Sequence, residues 1–143
     1  MAGIKHLLNI NAPVQKVYEA LTSIEGLANW WTMQTTGDST PGGIIQFRFG
    51  EVGSDMKVIE LKPNELVSWE CVDGFPDWIG TKIDFRLEAK DNKTVVHFDH
   101  FNWGEANGFF AGCSFSWGRY LESLRQLCQT GKGASFGSEN YSS

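Results

Sequence analysis

Two of the chain's three histidines fall in one short stretch, His97-Phe98-Asp99-His100, and Trp103, Phe109 and Phe110 follow closely. Two imidazoles and a carboxylate at this spacing could hold a metal ion. They could equally form an acid–base pair. The rings that follow suggest a third possibility, the edge of an apolar pocket with one polar group set among aromatics.

Strand geometry decides between these. Residues 94–101 alternate, so His97 and Asp99 share one face and His100 takes the other. A single ion cannot collect all three from a regular strand, and a further ligand two residues upstream is missing because position 95 is Val95. No metal site is expected. His97 and Asp99, on the outer face with Val95, read as a surface pair of little energetic weight. His100 points inward with Val96 and Phe98, near the start of the last element. There it could orient a ligand hydroxyl or carbonyl. Alternatively it bonds a backbone carbonyl and closes the strand–helix corner.

Other reactive groups offer less. Cys71, Cys113 and Cys128 are odd in number and lack Cys-x-x-Cys spacing, which reads as reduced thiols. Cys113 falls on the inner face of a helix, where apolar surroundings raise a thiol's pKa and packing is the plainer role. No strand–Ser–helix elbow is present. The Gly131–Ser135 run follows a helix and lacks the upstream glycine of a phosphate loop. Arg48 and Arg86 point outward by parity, so no inward anion clamp is expected. Glu60 and Glu70 read as solvent or hairpin-paired residues.

The elements that must position His100 can be read from periodicity. Ile4, His6, Leu8 and Ile10 alternate with more polar neighbours and predict a first strand. Pro13 suits a first helical turn, and Val14, Val17, Tyr18 and Leu21 share a helical face. Ser23 is a candidate N-cap for a second short helix ending near Trp31. Five period-two runs follow, over 44–51, 55–62, 65–72, 81–90 and 94–101, separated by turn-rich segments such as Lys62–Glu65, Asp73–Asp77 and Lys90–Lys93. They predict an antiparallel meander. From Gly108 onward, Phe110, Cys113, Trp117, Leu121, Leu124 and Cys128 recur at helical spacing, and Gly131 is a natural stop. Gly112 and Gly118 weaken this helix by about 1 kcal/mol each. One apolar sheet face needs a cover, and this helix carries the matching stripe. The expected fold class is α+β: a curved antiparallel sheet wrapped around a long C-terminal helix, with two short helices after the first strand.

Composition bounds the partners. The 143 residues suffice for one domain with one core. Ten Phe, six Trp and three Tyr make an aromatic share of 13%. That much ring area favours an aromatic-lined cavity or interface. The net charge of −5 and the lack of a Lys/Arg cluster speak against nucleic acid. No apolar run approaches a membrane span, and the N-terminus turns polar too early for a signal peptide. A cytoplasmic location is expected. Residues 131–143, rich in Gly and Ser, are expected to fray as a flexible tail behind a domain spanning 1–130.

The layout resembles the START-like (SRPBCC, helix-grip) superfamily. Within it the chain is similar to the domain found at the C-terminus of activators of heat-shock protein 90 ATPase, and to that domain's stand-alone bacterial relatives. The resemblance is carried by the segment from Ile10 to Leu21 (INAPVQKVYEAL), Trp30-Trp31, Pro41-Gly42-Gly43, and Val58–Glu70 (VIELKPNELVSWE). It continues in Thr94–Phe101 and Trp117–Leu127, and so covers about residues 4 to 130. It implies a helix-grip fold with a hydrophobic cavity between the sheet and the last helix. Members bind lipids and polyketides, act as cyclases, or assist chaperones, so the resemblance does not by itself fix the chemistry. No counterpart of the extra N-terminal domain of full-length chaperone activators is expected, which weighs against a direct co-chaperone role.

The reading that joins these points is the binding of a small hydrophobic or aromatic, lipid- or polyketide-like molecule, with no covalent chemistry and no cofactor. Its expected wall is Phe47, Phe49, Met56, Val58, Trp69 and Phe85 from the sheet, with Phe98, Phe110, Cys113 and Trp117. His100 is the expected polar handle. Trp30, Trp31, Trp78, Trp103 and Phe109, in loops or at helix ends, are the expected rim, and Phe75 is a further loop ring of the same kind. The alternative is a chaperone-associated interaction module in a stress response. A third reading, a cyclase or hydrolase using His100, needs a second inward titratable group that the sequence does not show. The chain is expected to be a monomer, or a homodimer through an exposed sheet edge or ring patch.

Overall fold

The alternating residues at the start of the chain form β1 (Ala2–Ile10), with Ile4 and Ile10 buried. The computed structural model describes residues 2–141. Pro13 caps α1 (Val14–Thr22), where its missing N–H leaves no partner wanting. Ser23 then serves two helices. Its N–H donates to the Glu19 carbonyl and ends α1, while its Oγ accepts the Gly26 N–H at 2.9 Å and starts α2 (Ile24–Trp30).

The corner between α1 and α2 depends on Gly26. A Cβ there would lie 2.7 Å from the Ala20 Cα and 2.8 Å from the Ala20 carbonyl oxygen. Gly26→Ala is therefore expected to lower stability by about 2 kcal/mol, although alanine is the better helix former. A urea midpoint equal to that of the wild type would show that the two helices can separate without loss.

The five alternating runs become β3 (Ile44–Phe49), β4 (Val52–Lys62), β5 (Leu66–Gly74), β6 (Lys82–Lys90) and β7 (Lys93–Trp103). One strand was not expected, β2 (Gln34–Gly37). Its sequence QTTG has no apolar alternation, and only Thr35 is buried. It forms by pairing with β3, from Gln34 opposite Arg48 to Gly37 opposite Ile45. All seven strands make one antiparallel sheet in the order β1-β7-β6-β5-β4-β3-β2. Inward residues meet across the ladders, with Val67 opposite Phe85, Phe85 opposite Phe98, and Val58 opposite Trp69. Register shifts in β4 near Met56 and Val58 help the sheet curl.

The sheet curls around α3 (Gly108–Thr130). Asn107 caps it through Oδ1, which accepts the Phe110 N–H at 3.0 Å, and Gly131 ends it at φ 87°. Trp117, Leu121, Leu124 and Cys128 are buried beneath it, while Phe110 and Cys113 are half-buried. This is the expected α+β helix-grip architecture. No helix among the described residues is long and apolar enough to cross a membrane.

The segment after α3 does not hang free as far as Tyr141. The Ala134 N–H donates to Ser123 Oγ at 2.7 Å. Thr32 and Phe136 form a parallel bridge, in which the Phe136 N–H donates to the Trp31 carbonyl at 2.9 Å and the Met33 N–H to the Phe136 carbonyl at 3.0 Å. Ser135 is buried. The close approach needs Gly133, where a Cβ would sit 2.3 Å from the Asn29 carbonyl oxygen. The expected fraying thus gives way to docking over 131–141, and residues 142–143 lie outside the described residues.

Candidate functional site

The parity reading of the His97–His100 stretch holds. His97 is exposed beside Glu88, and Asp99 pairs with Lys5 across to β1. His100 is fully buried. Its Nδ1 lies 3.1 Å from the Trp117 indole nitrogen and its Nε2 2.8 Å from Thr81 Oγ1. An indole N–H can only donate, so Nδ1 is the acceptor and the proton resides on Nε2. Nε2–H then donates to Thr81 Oγ1, whose own hydroxyl donates to the Trp78 carbonyl at 2.6 Å. Burial pushes the His100 pKa down to about 3. A neutral imidazole with both nitrogens engaged closes the corner between β7, the 75–81 loop and α3. Its partner on the loop is a threonine hydroxyl, one step removed from the backbone carbonyl. His100 does not border the open pocket described next.

Most of the expected wall is closed core. Phe47, Met56, Val58, Trp69, Phe85 and Phe98 are all buried. Their rings fill the space between sheet and helix: Trp31 to Phe47 at 4.2 Å between centroids, Phe98 to Trp117 at 4.5 Å, Trp69 to Phe85 at 5.2 Å and Phe85 to Phe98 at 5.2 Å. A cavity wall drawn through these residues lies too deep, because rings from neighbouring strands interdigitate there. Of the wall residues, Phe49, Cys113 and Trp117 border open space, and Phe110 packs instead on Trp103 at 5.1 Å.

The open space is a pocket of about 450 Å³ along the exposed first half of α3. It runs from Phe109 to Tyr120, eleven residue steps or about 16 Å of helix. Two of the expected rim residues, Trp31 and Trp78, form its inner side although both are buried, and Phe109 stands at its mouth. Trp30 and Trp103 lie elsewhere in the core. Trp30 Nε1–H donates to the Ala20 carbonyl at 2.9 Å, and Trp103 packs on His100 at 5.0 Å.

Phe75, on the loop before β6 and one of the loop rings expected at the rim, meets Phe109 at 5.7 Å. Several other lining residues were not expected. Tyr120 and Ser116 come from α3, and Phe136 and Tyr141 from the docked C-terminal segment. Gly108 and Gly112 complete the lining, and a Cβ at Gly112 would meet nothing within 4 Å. That glycine keeps one side of the pocket open. Phe136 and Tyr141, two rings set in a Gly- and Ser-rich stretch, were the available signal for the C-terminal wall.

Among the described residues, no lining residue carries a formal charge at neutral pH. Burial pushes the Cys113 thiol up and outweighs the opposing influence of the nearby Trp78 indole. That indole N–H is buried without a well-aligned acceptor, so the thiol is at best a weak partner for it. Burial likewise raises the Tyr120 phenol. Among the described residues no three His, Cys, Asp or Glu side chains converge as metal ligands would. The arrangement can enclose an apolar molecule and offer it a few neutral hydrogen-bonding groups.

Comparison with known proteins bears on this geometry. Residues 11–129 match the family described as Activator of Hsp90 ATPase homolog 1-like protein. The solution structure of the Aha1 dimer from Colwellia psychrerythraea is 41% identical and superposes with a TM-score of 0.86, over 93% of this chain and 100% of that one. Protein MLL2253 from Mesorhizobium loti shares the fold at 19% identity and a TM-score of 0.75, over 88% and 96% of the two chains. CalU16 from Micromonospora echinospora does so at 17% identity and 0.74, over 87% and 73%. No curated protein sequence matches.

Proposed function

We propose that this chain, which belongs to the activator of Hsp90 ATPase homolog 1-like family, binds one small, neutral aromatic or apolar molecule in the pocket along α3, without covalent chemistry. The observation that carries the reading is the lining: among the described residues, nine of thirteen are aromatic and none is charged. A volume of 450 Å³ lies in the range of ordinary ligand sites. A charged ligand would lose its hydration against these rings and find no counter-ion. A neutral one gains about 25 cal/mol for each Å² of apolar surface buried, before the opposing terms of association. Native mass spectrometry of freshly purified protein tests the reading. An adduct lost on denaturation supports it, and its mass narrows the ligand.

Gly112 provides a variant that blocks the pocket without harming the fold. Leucine there has free space to enter and improves helix propensity by up to about 1 kcal/mol. Gly112→Leu is expected to weaken binding of the neutral probe N-phenyl-1-naphthylamine at least about tenfold, with an undiminished melting temperature. Unchanged probe affinity would place the binding site elsewhere.

A second reading is favoured by one exposed ring. Phe115 is 71% exposed on the side of α3 away from Trp117, and Phe109 is 42% exposed. Such rings suit protein docking, as in a chaperone-associated module. Phe115→Ser in a pull-down with a heat-shock protein 90 chaperone at near-physiological salt tests it, since loss of capture is the expected result. The Colwellia relative is described as a dimer. The same assembly is proposed for this chain, with light scattering as its check. Three free cysteines fit the reducing cytoplasm proposed as its setting.

A further inference from the structure

We infer that the segment beyond α3, through Phe136 and Tyr141, sets which ligands the pocket accepts: neutral molecules with an apolar ring at one end and a hydrogen-bonding group at the other. This rests on the pocket reading above and deepens it. The match to the family stops at residue 129, so both rings come from outside the matched stretch.

The segment is built in as a wall. Its backbone is held at both sides of the Thr32–Phe136 bridge and at Ser123. Phe136 meets Phe49 edge-on at 5.6 Å, and Tyr141 meets Phe136 at 5.3 Å. The Arg119 guanidinium carbon lies 5.9 Å from the Tyr141 ring centre, yet Arg119 does not border the pocket. Gly137, at φ 87°, allows the chain to turn between the two rings.

The wall gives the pocket two unlike ends. At the Phe109 end the neighbours are Phe75 and Trp78, rings with no exposed polar atom facing the opening other than the weak Cys113 thiol. At the Tyr120 end two phenols come together, Tyr120 from α3 and Tyr141 from the segment, and the chain's third tyrosine, Tyr18, is not part of the pocket. The ends are separated by about 16 Å of helix. A neutral phenol both donates and accepts, so it suits a carbonyl or hydroxyl. A bound molecule therefore lies with its apolar ring against Phe75 and Phe109 and its polar group against the phenols.

A matched pair of probes tests this, 2-acetylnaphthalene and 2-ethylnaphthalene, which share ring and size and differ in the carbonyl. Each is titrated into the full chain by quenching of tryptophan fluorescence. Tyr141→Phe keeps the ring and removes only the hydroxyl. It is expected to weaken the ketone about fivefold to tenfold, as for one lost hydrogen bond, and to leave the hydrocarbon within about twofold. Phe136→Ala is expected to weaken both probes several-fold. Should both probes bind the wild type and neither variant alter the affinities, or alter both probes alike in Tyr141→Phe, the inference is overturned while the pocket reading stands. Should neither probe bind the wild type, the pocket reading falls and this inference with it.

Discussion

Trp31→Ala is expected to destabilise the protein by about 4 kcal/mol, roughly twice the loss expected for Gly26→Ala. The indole is 2% exposed and sits where α2, the sheet and α3 meet. Its ring lies 4.2 Å from Phe47, 4.9 Å from Trp117, 5.7 Å from Phe49 and 5.9 Å from Trp30, centre to centre. It also stacks nearly parallel to Trp69 at 6.2 Å, and Trp78 lies 6.4 Å away at an interplanar angle of 25°. Alanine leaves a void that none of these rings can fill without abandoning another contact, which is the condition for a high cavity term. Small domains have about 5–15 kcal/mol of total stability, so much of the margin would go. Urea unfolding followed by circular dichroism measures the loss. A value under about 1.5 kcal/mol would show that the rings repack and that the cluster does not act as a unit. Trp31→Phe, which keeps part of the ring, is expected to lose less than half as much.

The same cluster explains what could and could not be read from the sequence. Parity along a strand gives direction, and it put His100, Phe98, Phe85 and Trp69 inward and His97 and Asp99 outward, as observed. Direction does not say whether an inward ring borders empty space or another ring. That depends on how side chains from several strands and helices share one volume, and here Phe47, Phe85 and Phe98 close on Trp31, Trp69 and Trp117. The stripe of α3 was legible from Trp117 to Cys128 because it faces the sheet throughout. Toward Phe110 and Cys113 the stripe becomes half-buried, and the pocket opens there.

Tryptophans at element ends misled for a different reason. A loop position suggests exposure, but Trp30 reaches inward because the Ala20 carbonyl accepts its indole N–H. Composition misled at the C-terminus. Gly131 and Gly137 take positive φ and Gly133 allows close approach, so glycines that suggested disorder are those a docked turn requires. β2 escaped because its pairing comes from neighbouring backbone, and QTTG offers no apolar period.

The second large effect is a loss of stability on mild acidification, caused by His100. In the unfolded chain a histidine takes up a proton near pH 6.5. In the folded protein burial holds His100 neutral down to about pH 3. Protonation of Nδ1 would also set its new N–H against the Trp117 indole N–H, two donors with no acceptor between them. Because the folded pKa lies below the unfolded one, the unfolded state binds more protons throughout that window. The contribution of His100 is intact above about pH 6.5 and is lost progressively as pH falls toward about 3. The limiting slope is about 1.4 kcal/mol per pH unit, or about 2 kcal/mol between pH 7 and pH 5. His100→Gln removes the buried imidazole. His6 and His97 are present in both wild type and the His100 variant, so the difference between the two proteins isolates that imidazole. The variant is expected to be less stable at pH 7, because Thr81 and Trp117 lose a fitted partner, yet to lose about 2 kcal/mol less than the wild type on going to pH 5. Urea midpoints for both proteins at half-unit intervals give the comparison. Parallel curves would mean that the folded state admits a proton at His100, and the closed corner between β7 and α3 would then have to open near neutral pH.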